Sequence, residues 1–338
     1  MSVLAGHRVK LSENTALKHP VVSILALCFN HEKFLDEALL SIENLTYPHL
    51  DVWVVDDASS DSSPEILRRW QKKRPDWHFV LQETNLGNCR TFNQLLRQCS
   101  GDWVIDFATD DLLEKDALQQ WVARAESAPG IGFCYADGIV LDQETGKRKR
   151  FSETIPRNTF PEGKILPELL SQPFICPPAV LFNKEALLDL GGYDENLHYE
   201  DWDAWLRISH HYPVLFHPVP VITYRKHPAS MSASLVLKRN RKILQSTIKI
   251  LERIEHWPEF RTNPGSMAGF TRYHLRMCFG LQLPEEAHLF YQVLQRTGNQ
   301  KWSDTVLYKL AGSLPFMYPV YKAFRQFRTW MQMRGNDD

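Results

Sequence analysis

Short apolar segments alternate with helical patterns along the first 125 residues of the chain. Four of these segments are residues 21–29, 52–55, 79–81 and 103–109. An almost continuous apolar run is typical of a strand that is buried on both faces of a parallel sheet. Between these segments, apolar residues return every three or four positions, as they do on one face of a helix. Repeated strand–helix units of this length predict a doubly wound α/β sheet.

The loops that follow the four predicted strands carry the candidate chemistry. In a doubly wound sheet, ligands bind beyond the carboxyl ends of the strands, where these loops lie. The loops contain Asn30, residues 56–61, residues 85–90 and the adjacent acids Asp110 and Asp111. Paired carboxylates at the end of a buried strand suit Mg²⁺ or Mn²⁺ that holds a phosphorylated ligand. Considered alone, the pair Asp110-Asp111 is explained as well by a solvated turn or a helix N-terminus as by a metal site.

The second half of the chain is predicted to extend the sheet and then to become helical. Further strands are expected near residues 131–135, 175–182 and 214–224, and an amphipathic helix with an acidic start is expected from Glu200. The basic run 147–150 is interpreted as a solvated hairpin or loop. From residue 235 onward the pattern is mainly helical, with breaks near residues 264, 284, 298 and 315.

Composition places the chain among soluble globular proteins. It is 43% hydrophobic and 23% charged, which excludes a disordered protein. Its six cysteines form no CxxC pair, so we expect reduced, structural thiols in a cytosolic protein. The first 20 residues contain no signal-type apolar core, and no apolar run approaches the roughly 18 residues of a membrane span. The missing GxGxxG and GxxxxGK[ST] motifs remove the main support for a dehydrogenase or a P-loop protein.

Charge is unevenly distributed along the chain. Residues 1–225 carry 22 Lys and Arg against 32 Asp and Glu, whereas residues 226–338 carry 17 against 8. The basic part can face nucleic acid, anionic lipid or the acidic part of the same chain. Residues 318–334 also mix aromatic and basic side chains. They are predicted to form either a helix packed on the rest of the protein or a peripheral helix against anionic lipid, where it would present the protein to a lipid-linked acceptor.

Seven motifs in a fixed order give these features a common interpretation. They are Phe29-Asn30, Asp56-Asp57, Asn85-Leu86-Gly87, Asp110-Asp111, Gly191-Gly192, Glu200-Asp201-Trp202 and Arg225-Lys226-His227. Over roughly residues 20–235 the chain closely resembles the family 2 glycosyltransferases. The resemblance implies a GT-A fold, a mixed α/β sheet with a nucleotide-binding half and an acceptor half. It divides the chain into an N-terminal extension (1–19), a GT-A domain (20–235) and a helical C-terminal region (236–338).

The resemblance also implies an activity and a set of donor-side residues. The activity is inverting transfer of a sugar from a nucleotide sugar, most often a UDP-sugar, with Mg²⁺ or Mn²⁺ as cofactor. Residues implied to contact the nucleotide sugar are Phe29, Asn30, Asp57, Gly87 and Asp110. Arg90 and Arg225 are expected to help neutralise the diphosphate, since growing negative charge on the leaving group needs a positive partner. The implied metal ligands are Asp110, Asp111 and His227.

On the acceptor side, the resemblance assigns Asp201 as the general base, with Glu200 beside it. A carboxylate near a helix start is a suitable base for an acceptor hydroxyl. Trp202 and Trp205 lie three positions apart on one predicted helix and are expected to give flat apolar walls that orient the acceptor.

Two positions depart from the family pattern. Ala108 stands where an acid usually precedes the metal-binding pair, which leaves open whether Asp110 or Asp111 holds the metal. Leu27 stands where many members have proline.

The resulting hypothesis is a cytoplasmic enzyme at the inner face of the plasma membrane that builds surface polysaccharide. Its partners would be a nucleotide-sugar donor and a glycan or lipid-linked acceptor, with no role for nucleic acid. Two alternatives are a non-catalytic nucleotide-sugar-binding or scaffold protein of the same fold, and a nucleotidyltransferase. The second lacks the Gly-rich phosphate loop that it needs near its N-terminus.

Overall fold

Nine strands form one mixed sheet in the computed structural model, which describes residues 19–155, 159–170, 174–228, 230, 241–262 and 265–313. The strands are β1 (Val22–Cys28), β2 (Leu50–Asp56), β3 (His78–Leu81), β4 (Trp103–Ala108), β5 (Leu112–Leu113), β6 (Phe133–Asp142), β7 (Arg148–Arg150), β8 (Val180–Asn183) and β9 (Val214–Lys226).

Helices occupy most of the remaining described residues. Numbered in chain order among these residues, they are α1 (Leu35–Glu43), α2 (Ser63–Lys73), α3 (Asn88–Gln98), α4 (Ala117–Ala125), α5 (Leu166–Leu169), α6 (Lys184–Asp189), α7 (Glu200–His211), α8 (Arg241–Ile254), α9 (Pro258–Thr262), α10 (Gly265–Leu281), α11 (Pro284–Arg296) and α12 (Trp302–Ser313). The breaks predicted near residues 264, 284 and 298 separate α9 to α12, whereas the one near 315 lies outside the described residues.

The strand order is β3-β2-β1-β4-β8-β6-β9-β5, and β7 pairs with β6. Strands β1 to β4 are mutually parallel, which brings their carboxyl ends to one edge of the sheet. Strand β8 runs antiparallel to both β4 and β6. This arrangement is the doubly wound mixed α/β sheet that the apolar pattern predicts.

Burial explains why the first apolar runs form central strands. All seven residues of β1 are buried, because helices cover both faces of the sheet. One hydrophobic cluster lies against α1, α2 and α4, and a second lies against α3 and α7 and continues into the C-terminal helices. In β4, Trp103, Ile105 and Phe107 belong to the first cluster and Val104 to the second. By strand alternation, Asp106 and Ala108 share the face of Val104.

Several local predictions are refined by the structure. Strand β6 extends to Asp142, well beyond the predicted 131–135, and forms a hairpin with β7. The basic run 147–150 therefore contributes an exposed hairpin strand. Arg150 Nε donates to Asp137 Oδ2 at 2.7 Å, which ties this strand to a buried carboxylate. All six cysteines are free thiols.

The C-terminal helices α8 to α11 contribute residues to the hydrophobic cluster that includes α7, and α12 packs against that cluster. Arg253 of α8 donates to Asp203 Oδ1 at 2.7 Å and to Asp194 Oδ2 at 2.6 Å. It therefore links α8 to the first turn of α7, where Asp203 lies, and to the loop before α7, where Asp194 lies. None of the helices in the described ranges combines the length and apolar character needed to cross a membrane. The predicted lipid-facing helix of residues 318–334 lies outside those ranges.

Candidate active site

The loops after β1 and β2 are bound to each other through Asn30. Asn30 has a positive φ of 59°, its N–H donates to Ser59 Oγ at 2.8 Å, and its Oδ1 accepts from Ser60 N–H at 2.8 Å. The side chain of Phe29 next to it is 46% exposed. Phe29 and Asn30, both predicted to contact the nucleotide sugar, therefore lie at the sheet edge, and the Asn30 amide oxygen is bound by the neighbouring loop.

Asp57 contacts Gly87 at the loop that leads into α3. Its carboxylate is buried and accepts the backbone N–H groups of Leu86 at 2.7 Å and Gly87 at 2.9 Å. Gly87 has a φ of 83°, a left-handed conformation that glycine adopts without strain. Both oxygens of Asp57 thus fix the shape of the loop that leads into α3.

Asp110 and His227 form a close pair at the end of β4. Asp110 Oδ2 lies 3.0 Å from His227 Nε2, and both side chains are largely buried. The imidazole of His227 packs on the ring of Phe34, with ring centroids 4.6 Å apart. Two residues that are 117 positions apart in the sequence, both predicted to hold the metal, therefore meet in the fold.

Asp111 has a different environment from Asp110. Its Oδ1 accepts the backbone N–H of Arg225 at 2.7 Å, deep in the protein. Burial, and then the neighbouring charge of Asp110, hold the pKa of Asp111 well above its ordinary value. Asp110 is thus the carboxylate that shares the site with His227, while Asp111 joins the β4 turn to β9.

Arg225 lies beneath this turn. Its Nη1 donates to the Asp110 carbonyl oxygen at 3.1 Å, its Nη2 contacts Glu37 Oε2, and its guanidinium lies 5.3 Å from the centre of the Phe34 ring. Only 3% of the side chain is exposed. In this structure, Arg225 holds the turn that carries Asp110 and Asp111 by hydrogen bonds to both residues.

His31 and Glu37 are site residues that the sequence reasoning missed. His31 Nδ1 lies 2.9 Å from Thr109 Oγ1, and burial lowers the pKa of its imidazole. The position of His31 directly after Phe29-Asn30 was the available signal. Glu37 lies on α1 and carried no signal, because its role depends on contact with a strand 188 residues away.

The donor atoms at Asp110 and His227 fit a divalent cation. A carboxylate oxygen and an imidazole nitrogen side by side are ordinary ligands of Mn²⁺, and Mg²⁺ or Mn²⁺ commonly take one or two protein ligands and complete their shell with substrate phosphates. No third His, Cys, Asp or Glu joins them to form a metal-binding group among the residues that the structure describes. The pair is therefore suited to a cation that arrives with, and is shared by, a diphosphate.

Glu200 and Asp201 form the first turn of α7. Asp201 Oδ1 accepts the N–H of Trp202 at 2.6 Å, and Glu200 Oε1 accepts from Asn88 Nδ2 at 3.2 Å. Burial, and then the charge of Glu200, raise the pKa of Asp201 to about 7. Since Asn88 follows Gly87, the Glu200 contact connects the predicted base to the loop held by Asp57.

Asp106 is a partly buried acid close to this turn, and the sequence reasoning did not select it. Its Oδ2 accepts a hydrogen bond from the Tyr193 hydroxyl at 3.0 Å. Burial raises the pKa of Asp106 to about 7, and the charge of Glu200 contributes in the same direction. An isolated acid inside an otherwise apolar strand was the available signal, because buried carboxylates without a partner are costly.

The side chains of the remaining predicted residues, Arg90, Trp202 and Trp205, contact other parts of the chain. Arg90 is exposed and its Nε donates to Glu195 Oε2 at 3.1 Å. Trp202 and Trp205 are buried, and the Trp202 ring stacks between Tyr199 at 5.3 Å and Phe270 at 4.8 Å. The tryptophans thus face the C-terminal helices as well as the start of α7.

Comparison with known proteins identifies relatives for this arrangement. A family model described as glycosyl transferase family 2 matches residues 23–191. Among curated proteins, the poly-beta-1,6-N-acetyl-D-glucosamine synthase of Staphylococcus epidermidis is 25% identical over 182 residues, which are 53% of this chain and 43% of that protein. The chain spans 43% to 64% of the length of the first such relatives.

Solved structures share the fold at low sequence identity. TarS 1–349 of S. aureus in complex with UDP superposes with a TM-score of 0.63 at 18% identity, covering 86% of each chain. The mannosyltransferase PcManGT of Pyrobaculum calidifontis, in complex with GDP-Man and Mn²⁺, gives a TM-score of 0.55 at 18% identity and covers 94% of this chain and 85% of that one. At this level of identity the likeness establishes the fold.

Proposed function

This chain belongs to glycosyl transferase family 2, and from that premise we propose that it is an inverting glycosyltransferase acting on a nucleotide sugar. The observation that carries the proposal is the convergence of two sites at one end of the sheet. Asp110 and His227 supply oxygen and nitrogen ligands at the end of β4, and Asp201 lies on the helix whose first residue contacts the Gly87 loop. The first site suits a diphosphate with a cation, and the second suits a proton transfer.

Asp201 acts as the general base in this proposal. It would accept the proton of the acceptor hydroxyl while that oxygen attacks the anomeric carbon of the donor sugar. A base works best when its pKa is close to the working pH, and burial together with Glu200 raises the pKa of Asp201 to about 7. An exposed aspartate would be a much weaker base at neutral pH.

The donor side is assigned to the loops at the sheet edge. Asp110 and His227 would hold Mg²⁺ or Mn²⁺, which when bound offsets the negative charge that develops on the leaving diphosphate. Phe29 and Asn30 are proposed to contact the nucleobase from the exposed β1 loop. Asp57 is proposed to act through the Gly87 loop that it fixes.

The two arginines have different proposed roles. Arg225 would hold the Asp110–Asp111 turn in place, since its guanidinium is committed to Asp110 and Glu37. Arg90 remains a proposed diphosphate contact, and its ion pair with Glu195 would have to open for it to reach the donor.

A UDP-sugar is the proposed donor and a polysaccharide or lipid-linked glycan the proposed acceptor. TarS was solved with UDP, and the staphylococcal relative is named for synthesis of a poly-N-acetylglucosamine. The name of the staphylococcal synthase supports a role in polysaccharide synthesis, which we propose takes place on the cytoplasmic face of the membrane. PcManGT was solved with Mn²⁺, which supports the proposed metal.

A thermal-shift screen of UDP-, GDP- and dTDP-sugars with and without Mn²⁺ tests the donor assignment. A ligand that binds the folded state raises the unfolding temperature by mass action. We expect a UDP-sugar to give the largest rise, and we expect that rise to need Mn²⁺. Asp110→Asn should remove the Mn²⁺-dependent part, whereas Asp142→Asn at the partly exposed end of β6 should keep it. If Asp110→Asn kept the same Mn²⁺-dependent rise in unfolding temperature as Asp142→Asn, the assigned metal site would be ruled out.

The same screen, followed by a measurement of nucleoside diphosphate release, separates an enzyme from a binding protein. The proposed enzyme releases UDP from the donor that it binds, at a rate above the protein-free background. A non-catalytic nucleotide-sugar-binding protein gives the thermal shift with release at the background rate.

A further inference from the structure

His31 lies between two parts of the proposed donor site. Its main chain directly follows Asn30, whose amide oxygen is bound by the loop after β2. Its ring contacts Thr109, the residue before Asp110, with Nδ1 of the ring 2.9 Å from Thr109 Oγ1. The charges of Asp110 and His227 both act on the ring, so the proposed cation ligands are close to it. The imidazole is thus placed between the loop assigned to the nucleobase and the pair assigned to the cation.

The hydrogen bonds of Thr109 determine which nitrogen of His31 carries the proton. The Thr109 hydroxyl has one hydrogen, and its Oγ1 lies 3.1 Å from the carbonyl oxygen of Leu27, which can only accept. The hydroxyl therefore donates to Leu27, and its oxygen accepts from the ring. Nδ1 of His31 is consequently the protonated nitrogen. Because a neutral imidazole carries a single N–H, its Nε2 presents a lone pair.

The Nε2 atom of His31 is open to a ligand. It has no hydrogen-bond partner within the described ranges of the chain, and the residue is partly exposed. Burial lowers the pKa of the imidazole below its ordinary value of 6.5, so the ring is neutral at pH 7. A lone pair on a neutral ring accepts a hydrogen bond and cannot donate one. A phosphate oxygen is therefore a poor partner, and the ligand group that meets Nε2 must be a donor.

The order of groups in a nucleotide indicates which donor this is. A nucleoside diphosphate consists of a base, a ribose and a diphosphate, in that order. The site presents Asn30 for the base, then His31, and then Asp110 with His227 for the diphosphate and its cation. The ribose therefore falls at His31. Its hydroxyl groups on C2′ and C3′ are the hydrogen-bond donors of that part of the molecule.

We propose that Nε2 of His31 accepts a hydrogen bond from a ribose hydroxyl of the donor nucleotide, and that it selects nucleotides that carry this hydroxyl. The proposal rests on the proposed donor site and adds to it a residue that determines specificity. Thr109 is a positioning residue in this proposal, because its hydroxyl holds the ring in the tautomer that can accept.

Calorimetric titration with deoxynucleotides tests the contact. The probes are UDP and GDP, each with its 2′-deoxy and 3′-deoxy forms, in the presence of Mn²⁺. The wild type should bind one of the two deoxy forms about five- to tenfold more weakly than the parent nucleotide, the effect of one lost hydrogen bond. His31→Asn keeps an amide N–H that can donate to Thr109 and removes the Nε2 acceptor. Its discrimination should fall below about twofold, because the hydroxyl then has no partner to lose.

His78→Asn is the matched control for this substitution. His78 is half-exposed and is the first residue of β3, so it lies at the opposite end of the parallel strands from the proposed site. This variant should bind all the nucleotides as the wild type does.

The tautomer is measured directly by ¹⁵N NMR of the histidine rings in the absence of Mn²⁺. Protonated and unprotonated ring nitrogens have well-separated chemical shifts, and the His31 signals are those that disappear in His31→Asn. We expect the Nδ1–H form in the wild type and in Thr109→Ser, which keeps the hydroxyl. Thr109→Val has no acceptor for Nδ1–H, so it should lose the single tautomer and part of the discrimination, whereas Thr109→Ser should retain both.

Four results would overturn the role of His31. The first is a wild type that binds a parent nucleotide and both of its deoxy forms equally well, and the second is a His31→Asn variant that discriminates as the wild type does. The third is an Nε2–H tautomer in the wild type. The fourth is a His31→Asn variant that loses affinity for parent and deoxy nucleotides by the same factor, since the imidazole would then act on the cation or on another part of the nucleotide.

A parallel assay of nucleoside diphosphate release from UDP- and GDP-sugars keeps this proposal apart from the proposed function. Release by a wild type that does not discriminate against deoxynucleotides would refute the role of His31 and leave the transferase proposal intact. Discrimination that His31→Asn abolishes, without release from any nucleotide sugar, would refute the transferase and leave a nucleotide site with His31 at the ribose. Binding of neither UDP nor GDP would refute the donor site and the role of His31 together.

Discussion

The buried acids near the end of β4 differ in what surrounds each of them. Asp110 meets an imidazole, Asp111 meets a backbone amide, and Asp106 meets a tyrosine hydroxyl. Asp201 lies near Asp106 and Glu200, so three carboxylates influence one another in a buried region. Repulsion among them, added to burial, favours the protonated form of Asp201 up to about pH 7. The pH at which the base becomes available is therefore set first by its burial and then by its charged neighbours.

The first prediction concerns this pH dependence. The base must be ionised, so kcat/KM should rise with pH up to about 7 and level off above it. The groups that face Asp106 are Tyr193, Glu200, Asp201 and Cys89. Asp106→Asn keeps an acceptor for the Tyr193 hydroxyl and removes a negative charge that raises the pKa of Asp201. The midpoint should move to lower pH, as measured by initial rates between pH 5 and 9.

Asp142→Asn removes a charge from an exposed hairpin and is the control for the pH profile. Its midpoint should equal that of the wild type. An unchanged midpoint in Asp106→Asn, with a normal unfolding temperature, would show that Asp106 does not tune the base.

The sequence predicted part of this arrangement. Asp110, Asp201 and His227 were selected because they belong to motifs with a known order. Which of Asp110 and Asp111 holds the metal was open, because Ala108 stands where an acid usually precedes the pair. The contacts of Asp106 and Glu37 depend on Tyr193 and Arg225, and no local pattern brings those partners together.

At the element scale, the turn Gly191-Gly192 between α6 and α7 positions Tyr193. Both glycines have positive φ, 84° and 75°. Gly192 packs so closely on Asn93 that an added Cβ would lie 2.3 Å from Asn93 Oδ1. Asn93 binds Tyr193 twice, through its Oδ1 and its Nδ2 at 2.8 Å each, and Tyr193 in turn donates to Asp106. The sequence analysis selected these glycines as a motif, but no local pattern predicted their contact with α3.

A pair of glycine substitutions measures the contribution of this turn. Gly191→Ala introduces only backbone strain, because nothing lies within 4 Å of its added Cβ, and should cost about 1–2 kcal/mol of unfolding free energy. Gly192→Ala adds the clash with Asn93 and should cost a further 1–3 kcal/mol or so. Urea unfolding of both variants gives the difference. Equal losses would mean that Asn93 moves aside freely.

At the scale of the whole molecule, the sheet and the C-terminal helices share one hydrophobic cluster. It contains Val104 and Phe182 of the sheet together with Leu251 of α8 and Phe290 of α11. The helical pattern predicted these helices, but their docking surface is a property of the packed cluster and could not be read from any one segment. Part of the basic charge of the C-terminal region is neutralised by the acidic region of the same chain, since Arg253 forms ion pairs with two acids there.

Arg253→Gln tests this connection. Asp203 is buried and would keep only Arg207, 2.6 Å away, as a charged partner. Loss of hydrogen bonds to two carboxylates should lower the unfolding free energy by about 1–2 kcal/mol, a value reduced because Arg253 is partly exposed. Arg296→Gln, which loses ion pairs to Glu252 and Glu255 on the helix surface, should cost less than about 1 kcal/mol. Denaturant unfolding measures the loss of unfolding free energy in both variants. Equal losses in Arg253→Gln and Arg296→Gln would count against a structural role of the Arg253 ion pairs.

The central claim is that Asp201 removes the acceptor proton in a glycosyl transfer. Its most direct test is the rate of UDP release from the UDP-sugar, with Mn²⁺ and with water or a glycoside as the acceptor of the sugar, in the wild type and in Asp201→Asn. General bases contribute about 10²- to 10⁴-fold to a rate, so the variant should lose activity by that factor while it binds UDP as the wild type does. Equal rates of UDP release in the two proteins would contradict the claim.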